Sequence, residues 1–177
     1  MRPRRVGPAP YLASEDSALL RTALLPYSGN ACLEIGAGNA GNVVELAKRF
    51  DLVVGTELQR PAMSDWKDEE ANLILADGAS ALRDSSFDLV AFNPPYIRAE
   101  IVDRAVDGGP DLEVPKRFLR DALRVVKGSG KVVFLLSEEA EMDEFERICG
   151  ASGFRLRKVA AERGFFEELS VYLAARD

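Results

Sequence analysis

Asn93-Pro94-Pro95-Tyr96 sets a side-chain amide, two prolines and a phenol in a row, directly behind the apolar run "FDLVAF". Prolines carry no N–H and fix φ, so the pair cannot continue a sheet ladder and makes a stiff, donor-poor turn. In such a turn the Asn93 oxygen and the Pro94 carbonyl can each accept one N–H of a single NH₂ group. The Tyr96 ring can stack on the flat face of the molecule that carries it. A nitrogen conjugated to a flat system is a poor nucleophile, and two acceptors drive it towards tetrahedral character and aim its lone pair. The plainer role for these four residues is a rigid strand end.

A second cluster lies upstream. Gly36, Gly38 and Gly41 in "GAGNAG" match the spacing of a dinucleotide-binding turn, and Glu57 ends the next strand where a ribose-binding acid belongs. That spacing alone fits NAD as well as S-adenosylmethionine. Glu34, two residues ahead of the first glycine, would repel a pyrophosphate but suits an amino-acid ammonium. Asp77, followed by Gly78 in "ADGA", supplies an acid for an adenine amino group. Three acids ending three successive strands fit a zwitterionic, cationic sulfonium, and no residue suited to hydride transfer stands out in a chain with no histidine. Their plainer role is capping of helices and turns. With a methyl donor alongside, the proline turn reads as a grip on an amine or amide nitrogen to be methylated. The proton can leave after transfer, so no strong base is needed.

The elements that must position these residues follow from patterning. The chain has 177 residues, 47% hydrophobic and 29% charged, with a net charge of −6. That length suits one domain, 11–177, behind a flexible basic tail, 1–10. No apolar run approaches the roughly 20 residues of a membrane helix, and no apolar stretch follows the basic start as in a signal peptide. Cys32 and Cys149 lack CxxC spacing and read as buried free thiols of a reducing compartment, the cytoplasm. The absence of histidine removes Ser-His-Asp chemistry and the usual zinc centres, so no metal site is expected. The acidic balance argues against stable nucleic-acid binding.

Helical spacing covers 14–25, with Ser14 or Asp16 as its cap, then 43–50, 60–71, 114–126 and 137–151. Apolar strands fall at 31–35, 51–57, 72–76, 87–92 and 131–136, with "KGSG" as a stop before the last. Two further strands, 154–162 and 166–175, read as an antiparallel pair. Alternating strands and helices predict a doubly wound α/β sheet with helices on both faces and its ligand beyond the carboxyl ends of the strands.

"NPPY" after a strand, with "LEIGAG" upstream, resembles class I N-methyltransferases acting on glutamine or adenine. The opening "YLASEDSALL" resembles the Y-x-P-S-E-D-S-x-L-L signature of HemK-like release-factor glutamine methyltransferases of the archaeal and eukaryotic type. "DGGPD" (Asp107 to Asp111), "KGSGKVVFL" and "FFEELSVYLAA" extend the likeness over nearly the whole chain. The resemblance implies a Rossmann-like, seven-stranded, mostly parallel sheet with a C-terminal antiparallel strand, and S-adenosylmethionine as cofactor. It places Ser17 over the methionine end, Glu34, Gly36 and Gly38 along the methionine and ribose, and Glu57 on the ribose hydroxyls with Leu58 beside it. Asp77 and Gly78 would meet adenine, and Asn93, Pro94, Pro95 and Tyr96 would grip the acceptor. Two departures stand out: Ala13 replaces the family proline, and Ala40 stands where the third glycine is usual.

The implied substrate is the glutamine of the Gly-Gly-Gln loop of a class-1 peptide release factor, or in some members a histone lysine. Adenine N6 is the alternative acceptor, but the chain lacks a target-recognition segment and a basic groove. An NAD-binding oxidoreductase and a non-catalytic binding module are weaker readings, the latter because Glu34 and Asn93 are intact. The resemblance also implies a small zinc-binding activator protein. Strand Asn72–Ala76, short, apolar and free of lysine or proline, is expected at a sheet edge where such a partner could add a strand, with Met63 and Trp66 as an apolar patch beside it; the equal alternative is that helix 60–71 folds back and covers that edge.

Overall fold

The computed structural model describes residues 15–59, 72–137, 140–163 and 168–177. The tail 1–10, the expected helix 60–71 with Met63 and Trp66, and the Ala13 departure lie outside those residues. The elements run α1 (Glu15–Leu24), β1 (Gly29–Ile35), α2 (Gly41–Ala47), β2 (Phe50–Glu57), β3 (Asn72–Leu75), β4 (Phe87–Phe92), α3 (Glu113–Val125), β5 (Val126–Ser137), α4 (Met142–Ala151), β6 (Arg155–Arg163) and β7 (Glu168–Ala175). They form one seven-stranded sheet in the order β3-β2-β1-β4-β5-β7-β6. Strands β1 to β5 pair in parallel, while β7 runs antiparallel to both β5 and β6. The expected fold class is therefore observed.

Strand order reverses between β1 and β4, the place where such sheets open a crevice for a ligand. Ile35 pairs with Phe92 in the β1–β4 register, so Gly36 and Asn93 leave neighbouring strand ends. On the other side Ile35 pairs with Thr56, bringing Glu57 alongside. The topology alone thus gathers the glycine turn, Glu57 and the proline turn.

Both sheet faces are covered. Leu20 and Leu24 of α1 and Val43 and Leu46 of α2 pack on one face with Cys32, Leu89 and Leu135. Phe118 and Leu119 of α3 and Phe145 and Ile148 of α4 pack on the other. There Phe92 stacks on Phe134 with ring centroids 4.9 Å apart. Phe92 anchors the proline turn from below, so the turn grows out of the best-packed part of the core.

Several element boundaries differ from expectation: β1 already starts at Gly29, and α4 starts at Met142, not at 137, because Ser137 ends β5. The "KGSG" stretch does not stop the chain but is part of β5, which starts at Val126 directly after α3. Gly130 makes this possible: a Cβ there would lie 2.9 Å from the Asp88 carbonyl oxygen, and the β4–β5 register shifts between Phe87 and Leu89. Helix α2 ends at Ala47, because Phe50 turns its buried ring into the core as the first residue of β2.

Candidate active site

The glycine turn is closed by the end of β2. The Thr56 carbonyl accepts from the backbone N–H groups of Gly36 (2.8 Å) and Ala37 (2.9 Å). Glu57 Oε2 accepts from the Gly38 N–H at 3.0 Å, and its Oε1 from the Gln59 N–H at 2.8 Å. Gly36 and Gly38 hold φ of 73° and 52°, which side chains disfavour, and a Cβ on Gly38 would project into open space. Ala40, at the third position of the fingerprint, also adopts the left-handed region, with φ 66°. The turn therefore keeps the glycine-like path at Ala40, and Gly41 instead makes room for the Arg21 guanidinium.

Glu34 lies buried under this turn. Its Oε1 accepts from Asn42 Nδ2 at 2.7 Å, and Asn42 Oδ1 in turn accepts from Arg21 Nε at 3.2 Å. Its Oε2 is buried with no partner among the described residues. Burial pushes the carboxyl up to about 8, against the opposing effects of the Asn42 hydrogen bond and the Arg21 charge. The carboxyl expected to face an ammonium is thus a group whose neutral form is favoured at neutral pH.

The turn expected to meet adenine is tied to α3. Asp77 Oδ1 meets Arg117 Nη1 at 2.7 Å, and Asp121 Oδ2 accepts from the Ala79 N–H at 3.1 Å. Gly78 has φ 59°, which side chains disfavour, and a Cβ there would have to displace the Asp121 carboxylate. Leu58 is exposed directly after Glu57, an apolar surface at the rim. Ser17 lies half-buried in the first turn of α1.

At the proline turn the structure adds a residue that sequence reading had placed only as a helix cap. Asp16, 2% exposed, accepts from Asn93 Nδ2 at 3.0 Å and from the Tyr96 hydroxyl at 3.3 Å through Oδ2. A carboxylate accepts but does not donate, so it fixes which way the Asn93 amide faces: NH₂ towards Asp16, oxygen away. Asn93 Oδ1 is buried and has no partner among the described residues. The Tyr96 ring packs against the α1 side of the core, so it serves as a fixed wall of the site. Helix α1 thereby reaches both halves, through Asp16 to the proline turn and through Arg21 to Asn42 and Glu34. Asp16 and Asn93 are 77 residues apart in sequence, and the only trace of the link there is Asp16 itself, inside "SEDS".

Residues 33–134, more than half of the chain, match the family described as a methyltransferase domain. The Mtq2–Trm112 complex of E. cuniculi, responsible for methylation of the eRF1 translation termination factor, matches with a TM-score of 0.82 and 26% identity over 94% of this chain and 98% of that one. A release factor glutamine methyltransferase of Caulobacter vibrioides is 33% identical over 119 residues, 55% of this chain and 41% of that protein. The chain thus spans less than half the length of that curated relative. Magnesium protoporphyrin IX methyltransferase from Synechocystis PCC 6803, solved with bound S-adenosylmethionine, shares the fold at 14% identity, a TM-score of 0.66, and 92% and 78% coverage. S-adenosylmethionine is the cofactor that family and fold imply. The residues present fit it: an open face at Gly38, an unpartnered Glu34 oxygen below, and acids at the ends of β2 and β3.

Proposed function

Because the chain belongs to the methyltransferase domain family, we propose that it is an S-adenosylmethionine-dependent N-methyltransferase acting on the glutamine side-chain amide of a class-1 peptide release factor. The observation that carries this reading is the Asn93 oxygen, buried and unpartnered among the described residues, with its amide turned by Asp16 so that the oxygen points away from that carboxylate. Leaving a buried acceptor empty costs roughly 1–3 kcal/mol, which a donor from the substrate would recover. The likeness to the E. cuniculi and Caulobacter proteins supports glutamine over adenine, as does the net charge of −6.

The bound cofactor supplies an electrophilic methyl group on a positively charged sulfur. The chain does the rest. Glu57 keeps free lone pairs on both oxygens for the ribose hydroxyls, Asp77 has a second oxygen for the adenine amino group, and Leu58 covers the base. Glu34 and Ser17 hold the methionine end, and Gly36, Gly38 and Gly78 let the backbone come close. Asn93 Oδ1 and the Pro94 carbonyl each take one N–H of the substrate amide, Pro95 stiffens the turn, and Tyr96 walls the flat face. On transfer the amide nitrogen held by Asn93 and Pro94 would take the methyl group from its sulfur, which becomes a neutral thioether, and the nitrogen's extra proton would pass to water.

A small zinc-binding partner is part of this reading. Strand β3 is an edge of the sheet, and Leu75 is 55% exposed on it. Among the described residues no strand pairs with its outer edge, and the strand carries no lysine or proline to discourage strand addition.

Labelled S-adenosylmethionine offered to a purified release factor and to duplex DNA, followed by mass spectrometry of the modified residue, tests the proposal. Transfer to one glutamine is expected. Asn93→Ala should cut turnover about a hundredfold with cofactor affinity unchanged. Transfer to adenine alone, or full turnover in the variant, would overturn it.

A further inference from the structure

Among the described residues, large apolar side chains stand exposed in small numbers, and Ile97, Ile101 and Val102 bring three of them to one loop directly after Tyr96. They are 49%, 46% and 87% exposed. The loop is not slack. Asp107 Oδ2 accepts from the N–H groups of Val102 (3.0 Å) and Asp103 (2.6 Å), and Asp103 Oδ1 accepts from the Ala105 N–H at 2.9 Å. At its base the Ile97 N–H donates to the Val106 carbonyl at 3.0 Å, and the Gly108 N–H returns to the Ile97 carbonyl at 2.8 Å. Gly108 also sits against the proline turn, since a Cβ there would lie 2.5 Å from the Pro95 carbonyl oxygen.

These hydrogen bonds hold the loop in the form that leaves its apolar side chains at the surface, where a partner can cover them. Its charge gives the sign of that occupant. From residue 97 to 113 there are five acids, Glu100, Asp103, Asp107, Asp111 and Glu113, against Arg98 and Arg104. The Arg98 charge is already met by Glu141 at 3.2 Å. An acidic rim repels a phosphate backbone and favours a positively charged polypeptide.

We infer that segment Ile97–Asp107 is a docking lip for the substrate protein, taking an apolar side chain on Ile101 and Val102 and a basic flank against the acids. The inference rests on the proposed protein-methylating function and adds the chemistry by which the acceptor is selected. The Gly108–Pro95 packing places the lip at a fixed offset from Asn93, so an apolar residue near the acceptor is read together with it.

Steady-state methyl transfer to a purified release factor, using the full chain with any partner it retains, tests the lip. Val102→Asp places a charge at a position 87% exposed, where the fold is not at stake. It should raise KM for the release factor about tenfold while kcat and the affinity for S-adenosylhomocysteine stay unchanged. Glu100→Lys should raise KM at low salt, with the effect shrinking as salt is added. No transfer to the release factor by the unsubstituted chain would overturn the proposed function and the lip with it. Transfer with KM unchanged in both variants would overturn the lip alone.

Discussion

The two turns that leave β1 and β4 side by side are finished to different degrees. At the glycine turn the backbone is held from within the chain: the Thr56 carbonyl takes the N–H groups of Gly36 and Ala37 and Glu57 that of Gly38, while the Thr56 hydroxyl and one Glu34 oxygen have no partner among the described residues. At the proline turn the Asn93 amide is held from behind by Asp16 while its oxygen is left bare. One turn is a seat already built, and the other is a grip with one hand open. Binding needs a preformed surface, because ordering a loop costs affinity. Transfer needs an acceptor that gains its hydrogen bond as the nitrogen changes shape, and an oxygen satisfied beforehand would gain nothing.

Asp16 is where this contrast is most easily broken. Asp16→Asn keeps the size of the side chain but adds a donor, so the Asn93 amide is free to turn over and present its NH₂ to the crevice. Turnover should fall about a hundredfold, or about 2.7 kcal/mol in the barrier, while affinity for S-adenosylhomocysteine is unchanged. Kinetics with paired calorimetry would show the split. Equal losses in turnover and cofactor affinity would mean that Asp16 merely holds α1 in place.

Glu34 sharpens the contrast from the other side, as the unfinished atom of the finished turn. Its carboxyl titrates at about 8 when folded, against 4.5 for an ordinary glutamate. Between those values the folded chain holds a proton that the unfolded chain has lost. Stability from this group is therefore fully present below about pH 4.5, falls as pH rises through the window, and levels off above about 8. The slope reaches at most about 1.4 kcal/mol per pH unit. Asn42 and Arg21 face the carboxyl and pull the value down, while Glu57 raises it. Glu34→Gln should flatten this part of the melting profile and keep the bond to Asn42. A cationic cofactor favours the ionised form, so its binding near pH 7 should release up to about one proton, seen as a buffer-dependent heat that the Gln variant lacks.

Most of this architecture was legible in the sequence, for reasons that particular residues make plain. Asn93 to Tyr96 announce themselves because all four lie in one turn, and Gly36, Glu57 and Asp77 because each ends an apolar strand. The sheet order then brings them together without further information. Asp16 could be read only as a cap, since its partner lies 77 residues on and only the packing of α1 over the crevice joins them. The Arg117–Asp77 pair was missed for the same reason: α3 is distant in sequence and adjacent in space. The fully buried state of Glu34 was hidden too, because a carboxylate at a strand end reads as a charge until its surroundings are known. Local chemistry was visible, and the side chains that orient it from other elements were not.

The smallest effect belongs to Ala40, and it bears on whether the seat is truly preformed. Ala40 is buried, with φ 66° and ψ 14°, in a region that costs a non-glycine residue roughly 1–2 kcal/mol. Ala40→Gly removes that strain. It also gives the unfolded chain more freedom, worth about 0.4–1 kcal/mol, and takes away a buried methyl group worth about 0.8 kcal/mol. These terms nearly cancel, so stability should change by less than about 0.5 kcal/mol, a melting shift under about 2 °C for a chain of this size. Because Thr56 and Glu57 hold the turn from the β2 side, affinity for S-adenosylhomocysteine should stay within about twofold. A tenfold loss of affinity at unchanged stability would show that the Ala40 methyl group, and not the backbone bonds to β2, sets the shape of the turn.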